Sequence, residues 1–88
     1  MLVYGYVRSS SETSTQNQIS LINKKAKELE LTVKQHITDY RELIKIIEEG
    51  SVDTLIVADK TRISRNAGEI SNFIDLCHKH NTELIFIN

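Results

Sequence analysis

Two short segments of the chain carry side chains suited to chemistry at a phosphate group. Arg8 and Ser10 follow an apolar run near the N-terminus, and Arg62 and Arg65 follow a later apolar run. A serine hydroxyl can act as a nucleophile, and guanidinium groups stabilise the charge that builds on phosphoryl oxygens when a phosphodiester is attacked. The two segments predict a phosphoryl-transfer site, provided that the fold brings them together.

The elements that must position these residues are strands and helices in alternation. Four short runs rich in Val, Ile and Leu have the length of strands, and three stretches with helical periodicity separate them. Nearly continuous apolar strands are typical of parallel sheets, which are covered on both faces. The sequence predicts an α/β fold: a small parallel, or mostly parallel, four-stranded sheet with helices on both faces. The predicted strands are Leu2 to Val7, Leu31 to Ile37, Asp53 to Ala58 and Glu83 to Ile87.

Each predicted helix has an apolar stripe. The first follows Thr15, a residue suited to capping a helix, and the second stops at Gly50, which favours the left-handed conformation found just past helix ends. The third has Lys79 and His80 near its C-terminal carbonyls. The three stripes are Ile19, Ile22, Ala26 and Leu29; Leu43, Ile44 and Ile47; and Ile70, Phe73, Ile74 and Cys77.

Parallel sheets bind ligands beyond the carboxyl ends of their strands, at the point where the strand order reverses. If the first and third strands are neighbours, Arg8 and Ser10 enter such a crevice from one side. Arg62 and Arg65 enter it from the other side. These two arginines are three residues apart, so they point the same way if residues 59–66 begin a helical turn.

Composition limits the classes of function. With 88 residues, 40% of them hydrophobic and 26% charged, the chain is one small globular domain. The net charge of −1 provides no general attraction to nucleic acid, so a DNA contact must come from a local cluster. The apolar runs are far shorter than the roughly twenty residues that span a membrane, and the N-terminus lacks a signal-peptide pattern. We expect a cytoplasmic protein, and the single Cys77 agrees with a reducing compartment.

No cofactor, metal ion or small-molecule substrate is expected. The chain has no dense group of carboxylates that would hold magnesium. The cluster of Cys77, His78 and His80 lacks a second ligand group at zinc-finger spacing. Tyr4 and Tyr6 share one face of the first strand and are expected to pack against a helix.

The segment Tyr6-Val7-Arg8-Ser9-Ser10-Ser11 resembles the opening Tyr-x-Arg-x-Ser-Thr/Ser motif of the serine recombinases, the resolvase and invertase family. Asp59-Lys60-Thr61-Arg62-Ile63-Ser64-Arg65-Asn66 is similar to that family's Asp-x-Ser/Thr-Arg-x-x-Arg-Asn variant, and Gln18 stands where the family's early helix carries a glutamine. The resemblance covers residues 1–88 as a single resolvase-like catalytic domain. It implies that a dimerisation helix and a DNA-binding domain, normal in the family, are absent from this chain.

The resemblance also implies an activity. Ser10 would cut a DNA phosphodiester, form a covalent 5′-phosphoserine intermediate and rejoin the strands, while Arg8, Arg62 and Arg65 carry the transition-state charge. These arginines and Gln18 would contact the DNA phosphate. Asp59 and Arg41 complete the expected catalytic set, with Arg41 replacing an arginine that the family carries in a longer loop. The implied partners are double-stranded DNA at a specific recombination site and further subunits, in a homodimer or tetramer.

Other interpretations of the same residues stay open. Ser10 could belong to a solvated turn that caps the first helix, with Ser9 and Ser11 as competing hydroxyls. The arginines could pair with Asp59 or Glu69 at the surface. A second hypothesis is a non-catalytic α/β module that binds an anion or serves assembly, motivated by the shortened loop after the second strand. A phosphoacceptor receiver domain is discounted, because only Asp39 and Asp59 stand at strand ends.

Overall fold

A computed structural model describes residues 1–8 and 15–88 of the chain. The described elements alternate as predicted, and each strand lies inside its predicted run. In chain order they are β1 (Val3–Tyr6), α1 (Thr15–Glu28), β2 (Val33–Ile37), α2 (Tyr40–Glu48), β3 (Thr54–Val57), a 3₁₀ helix (Lys60–Arg62), α3 (Ala67–Lys79) and β4 (Glu83–Phe86).

The four strands form one parallel sheet in the order β2-β1-β3-β4. The chain steps from β1 outward to β2, then crosses back to β3 on the other side of β1. Crossovers of one hand that run in opposite directions place their helices on opposite faces of the sheet. The α/β fold with a parallel sheet and helices on both faces is therefore confirmed, and the strand order reverses between β1 and β3.

Residues on the two faces of the sheet form two separate cores. Tyr4 and Tyr6 of β1 pack with residues of α2 and α3 in the larger core, which confirms the expected helix packing of these tyrosines. Val3 and Val7 point to the other face, where they pack against Ile22 and the rest of the smaller core. The alternation along β1 follows from the two-residue period of a strand.

Gly5 lies between these two valines and lets α1 approach β1 closely. A Cβ atom at this position would lie 2.9 Å from Cδ2 of His36 and 3.0 Å from Cγ2 of Ile22. The first distance is shorter than real Cβ contacts and the second is at the tight limit, so a side chain here would displace its neighbours. Gly5 therefore lets Ile22 of α1 and His36 of β2 pack directly against β1.

The ends of α2 and α3 follow their predicted signals, but Thr15, predicted to cap α1, is instead the first residue of that helix, and two residues of the apolar stripes also differ from the prediction. Gly50 has a φ of 73°, as expected for the residue after α2. Ile74 and Leu29 were assigned to buried stripes, but they are 43% and 41% exposed. Leu29 lies just past the end of α1, and α3 buries Phe73 and Cys77 instead of Ile74. None of the helices in residues 1–8 and 15–88 has the length and apolar character needed to cross a membrane.

Candidate active site

The carboxyl ends of β1 and β3 meet at one edge of the sheet, and a hydrogen bond joins the segments that follow them. The Nη1 atom of Arg62 donates to the backbone carbonyl oxygen of Arg8 at 3.2 Å. The two residues are 54 positions apart in the chain. The expectation that the first and third strands are neighbours is confirmed, and the arginine segments lie at the point where the strand order reverses.

Asp59 organises the turn that carries Arg62. Its side chain caps the 3₁₀ helix by accepting a hydrogen bond from the backbone N–H of Thr61 at 2.9 Å, and it also accepts from the Thr61 hydroxyl. The Nη2 atom of Arg62 donates to Oγ1 of Thr61 at 3.1 Å, and Nε lies 3.7 Å from a carboxylate oxygen of Asp59. Arg62 is only 6% exposed, so these neighbours compensate a buried positive charge.

Gln18 holds the backbone of Arg8 from the opposite side. Its Oε1 atom accepts from the Arg8 N–H at 2.9 Å, and its Nε2 donates to the Arg8 carbonyl at 2.6 Å. Gln18 is fully buried. This placement differs from the predicted phosphate contact, because a side chain enclosed behind the backbone of Arg8 does not line the crevice.

Arg65 lies between two residues that cap α3. The Asn66 side chain accepts a hydrogen bond from the N–H of Glu69 at 3.1 Å, and Asn66 donates its own N–H to the Ser64 hydroxyl at 3.0 Å. The Ser64 hydroxyl in turn donates to the carboxylate of Glu69. The backbone on both sides of Arg65 is therefore fixed to the start of α3, while the Arg65 side chain is exposed.

These arginines share a cleft of about 400 Å³, called the arginine cleft below. It is lined by Arg8, Thr61, Arg62, Ile63, Ser64, Arg65 and Glu69. Three guanidinium groups thus face one carboxylate, and a surplus of positive charge in a concave site favours an anion. The structure brings together Arg8, Arg62 and Arg65 as the sequence predicted, with Asp59 behind them as a partner of Arg62.

Ser10 lies outside the described residues. Arg8, which lines the arginine cleft, is the last described residue before it. The competing hydroxyls of Ser9 and Ser11 also fall outside the described ranges.

Arg41 is in the first turn of α2, where its N–H donates to the side chain of Asp39 at 2.9 Å. It is exposed, and it is not among the described residues that line the arginine cleft. The predicted catalytic set is therefore only partly assembled by the described structure.

A second, larger cleft of about 970 Å³ adjoins the first and is called the tyrosine cleft below. It is lined by Tyr6, Arg8, Thr38, Asp39, Tyr40, Ile63, Glu69, Asn72, Phe73 and Leu76. Tyr40 contacts Tyr6 edge to face and Phe73 at a tilt, each with ring centroids 6.0 Å apart. No sequence motif predicts this cleft; the one signal for it is that Thr38, Asp39 and Tyr40 directly follow a predicted strand.

The pKa values of Tyr6 and Tyr40 are shifted by the surroundings of the tyrosine cleft. Burial raises the pKa of Tyr6, with Arg8 lowering it in part and Asp39 raising it further. Burial likewise raises the pKa of Tyr40, and Tyr6 and Glu69 add to the increase. Both phenols therefore stay protonated at neutral pH and can donate hydrogen bonds.

Metal ligation has no support in the part of the chain that the structure describes. No group of three or more His, Cys, Asp or Glu side chains within it is arranged to hold a metal ion. Cys77 is buried in the larger core. Burial raises the pKa of its thiol from 9.0 to about 11.

Comparison with known proteins identifies the family. A family model described as "Resolvase, N terminal domain" matches residues 3–88, so the chain belongs to the resolvase family and comprises its N-terminal catalytic domain fold. The resemblance to serine recombinases is confirmed. No curated protein matches the chain by sequence.

Solved structures with this fold include three named recombinases. The N-terminal catalytic domain of TP901-1 integrase superposes with a TM-score of 0.89 at 26% identity, covering 100% of this chain and 78% of that one. A resolvase family site-specific recombinase from Streptococcus pneumoniae gives 0.87 at 19% identity, covering 99% and 72%. The C-terminal catalytic domain of ISC1926 TnpA, an IS607-like serine recombinase, gives 0.84 at 20% identity, covering 100% and 68%.

Proposed function

We propose that this chain is the catalytic domain of a site-specific DNA recombinase in which Ser10 is the nucleophile. The observation that carries the proposal is the hydrogen bond from Arg62 to the Arg8 carbonyl, which joins both arginine segments around one cleft. Ser10 stands two residues after Arg8. A hydroxyl beside three guanidinium groups matches the chemistry of attack on a phosphodiester.

The proposed reaction is a transesterification that conserves the number of phosphate ester bonds. The Ser10 oxygen forms a bond to phosphorus, and the bond from phosphorus to the 3′ oxygen of the DNA breaks. The serine hydroxyl loses its proton, and the departing 3′ oxygen gains one. Attack by a 3′ hydroxyl on the phosphoserine reverses these changes and rejoins a strand, so no nucleotide energy source is consumed.

The three arginines differ in exposure, and we assign their roles accordingly. Arg8 and Arg65 have exposed side chains on the lining of the arginine cleft, so we assign them to direct contact with the phosphate oxygens. Arg62 is buried and engaged by Arg8 and Thr61. We assign Arg62 both to charge stabilisation and to holding the end of β1 against the turn after β3.

Gln18 and Asp59 act as positioning residues in this proposal. Gln18 fixes the backbone of Arg8 by two hydrogen bonds, and Asp59 fixes the turn that presents Arg62. Arg41 lies at the exposed start of α2 and is not among the described residues that line the arginine cleft. In this proposal it joins the site only when DNA or another subunit brings it there. The partners remain those that the family implies, double-stranded DNA at a recombination site and further copies of the chain.

The test is to trap and locate the covalent intermediate. The full chain is incubated with nicked duplexes that carry candidate recombination sites, denatured in SDS, and digested with trypsin. Cleavage after Arg8 and Lys24 releases residues 9–24 as one peptide, on which mass spectrometry locates the attached nucleotide. We expect the nucleotide on Ser10. Ser10→Ala removes the adduct, whereas the matched variants Ser9→Ala and Ser11→Ala retain it; an adduct that survives Ser10→Ala refutes the assignment.

A non-catalytic anion-binding or assembly module is the second candidate. The placement of Arg41 favours it, because the described lining of the arginine cleft holds three arginines rather than the four in the predicted set. This reading predicts that inorganic phosphate perturbs Arg8, Arg62 and Arg65 while no nicked duplex gives an adduct. The nucleophile reading predicts both phosphate binding and an adduct, so the two experiments together separate the candidates.

A further inference from the structure

We infer that the tyrosine cleft receives the nucleobase next to the phosphate held in the arginine cleft. The two clefts are adjacent, because Arg8, Ile63 and Glu69 line both of them. A nucleotide joins a phosphate to a flat, uncharged, hydrogen-bonding ring through one sugar. This inference rests on the proposed function, and it assigns an occupant to a site that the strand-transfer chemistry itself does not use.

The charge of the two linings differs in the way that the two parts of a nucleotide differ. The arginine cleft has three guanidinium groups and one carboxylate, that of Glu69. The tyrosine cleft has one guanidinium group, that of Arg8, and two carboxylates, those of Asp39 and Glu69. A second phosphate is disfavoured beside two carboxylates, whereas a neutral base can donate its N–H groups to them.

The aromatic side chains offer a stacking surface of fixed orientation. Tyr40 is 39% exposed, and its ring contacts those of Tyr6 and Phe73, with centroids 6.0 Å apart in each pair. A base stacks on an aromatic face regardless of its identity, because every base presents a π surface. Stacking on this surface therefore sets no strong preference for one of the four bases.

Polar groups on the same lining can bind the edge of the base. Asn72 is exposed on α3 and carries an amide that both donates and accepts. Asp39 caps the start of α2 on the same lining, and its ionised carboxylate accepts only. An edge that donates from an exocyclic amine or ring N–H complements Asp39, and an adjoining carbonyl complements the amide donor of Asn72.

The experiment is an NMR titration of the full chain with three probes of increasing size. Inorganic phosphate tests the arginine cleft alone, 2-deoxyribose 5-phosphate adds the sugar, and thymidine 5′-monophosphate adds the base. We expect the base to increase affinity about tenfold over the sugar phosphate, the size typical of one stacked base. We also expect only the nucleotide to shift the amide signals of Asp39, Tyr40 and Asn72.

Variants test whether the increase in affinity that the base provides arises in the tyrosine cleft. Asn72→Ala should lower the affinity for thymidine 5′-monophosphate several-fold and leave the affinity for 2-deoxyribose 5-phosphate unchanged. Tyr40→Leu should remove most of the increase in affinity that the base provides. Asn23→Ala is the matched control, because Asn23 is also exposed but lies on α1 and is not among the described residues that line either cleft. The spectrum of each variant without ligand shows directly that it is folded.

The outcomes separate this inference from the proposed function. Equal affinity for the nucleotide and the sugar phosphate, with shifts confined to residues 61–65, overturns the base site and leaves the phosphate site standing. Binding of none of the three probes overturns both. A base-dependent gain lost in Asn72→Ala supports the base site even if no Ser10 adduct is ever trapped, which would count against the nucleophile alone. Concentration-dependent shifts of the tyrosine cleft without ligand would instead indicate self-association there and overturn the assignment.

Discussion

Gln18 and Arg8 exchange two hydrogen bonds across the junction between α1 and the end of β1. One runs from the Arg8 N–H to the side-chain oxygen at 2.9 Å, and the other from the side-chain nitrogen to the Arg8 carbonyl at 2.6 Å. The same carbonyl also accepts from Arg62 at 3.2 Å. The backbone of one residue, Arg8, thus ties α1 and the 3₁₀ helix to the end of β1.

Replacing Gln18 tests this tie. Gln18→Leu keeps the volume but removes both hydrogen bonds, which leaves the partly buried N–H of Arg8 unpaired and its carbonyl bonded to Arg62 alone. We expect the free energy of unfolding, measured by urea titration, to fall by about 1–3 kcal/mol. The rate of adduct formation should fall by more than the fraction of folded protein does, because the backbone of Arg8 is no longer fixed. The exposed Gln16→Leu on the same helix is the control; equal effects of the two variants would argue against a positioning role.

Replacing Arg62 tests the fork geometry of its guanidinium. Arg62→Lys keeps the positive charge, but an ammonium on a flexible stem cannot satisfy the Arg8 carbonyl and Thr61 in the same arrangement. We expect the initial rate of adduct formation to drop by about 10²-fold or more, as for loss of one transition-state donor. Arg65→Lys, at an exposed position, should cost less. A larger loss at Arg65 than at Arg62 would contradict the division of roles proposed here.

The sequence was sufficient to predict the fold because its patterns are local. Apolar runs of strand length, helical stripes and Gly50 each depend on neighbouring residues, and together they define the alternation that the structure has. Convergence of Arg8 with Arg62 followed from a general rule about parallel sheets rather than from either segment. To apply this rule, only the order of the strands in the sheet is needed, and the alternation of strands and helices along the chain restricts that order.

Other features of the site depend on distances between residues that are far apart in the sequence, and no local sequence pattern predicts such distances. The burial of Arg62 requires the Arg8 carbonyl at a particular place on the neighbouring segment, and the inward orientation of Gln18 requires the close approach of α1 to the sheet. Motif matching treated Gln18 as a phosphate contact, because a motif gives a residue's type and position but not its direction. The tyrosine cleft was missed for the same reason, since α3 supplies Asn72 and Phe73 from another part of the chain.

Gly5→Ala tests whether the separation of α1 from the sheet supports the site. The new methyl group would meet the His36 ring at 2.9 Å and Ile22 at 3.0 Å, both in the packed interface. We expect a loss of about 1–3 kcal/mol in the free energy of unfolding, as for other overpacked cores. Gly68→Ala, on the exposed first turn of α3, should change stability by less than about 1 kcal/mol. An unchanged stability of Gly5→Ala would mean that α1 can move away at no cost.

His36 should make stability depend on pH. Burial lowers its pKa below the usual 6.5, and within the described structure its Nε2 atom is buried with no hydrogen-bond partner. The unfolded chain therefore binds a proton more readily than the folded one as pH falls below about 6.5. The contribution of His36 to stability is complete above that value and is lost as pH falls toward the folded pKa. Urea midpoints between pH 7.5 and 5 should decline, and His36→Leu should flatten that decline; an identical slope in the variant would exclude this residue as the cause.

Cys77 should be unreactive while the protein is folded. Burial raises the pKa of its thiol to about 11, and only the thiolate attacks a disulfide reagent. At pH 8 the difference from an unfolded thiol, with its pKa of 9.0, lowers the thiolate fraction about a hundredfold, and enclosure by the larger core slows access further. The rate of reaction with Ellman's reagent should therefore rise by at least that factor in denaturing urea. Because the folded pKa is the higher one, the same thiol should also weaken folding as pH rises from about 9 to 11, and Cys77→Ala should remove that loss. A thiol that reacts equally fast with and without urea would show that α3 does not stay packed against the sheet, and the walls of both clefts would then not hold the arrangement on which the proposed chemistry depends.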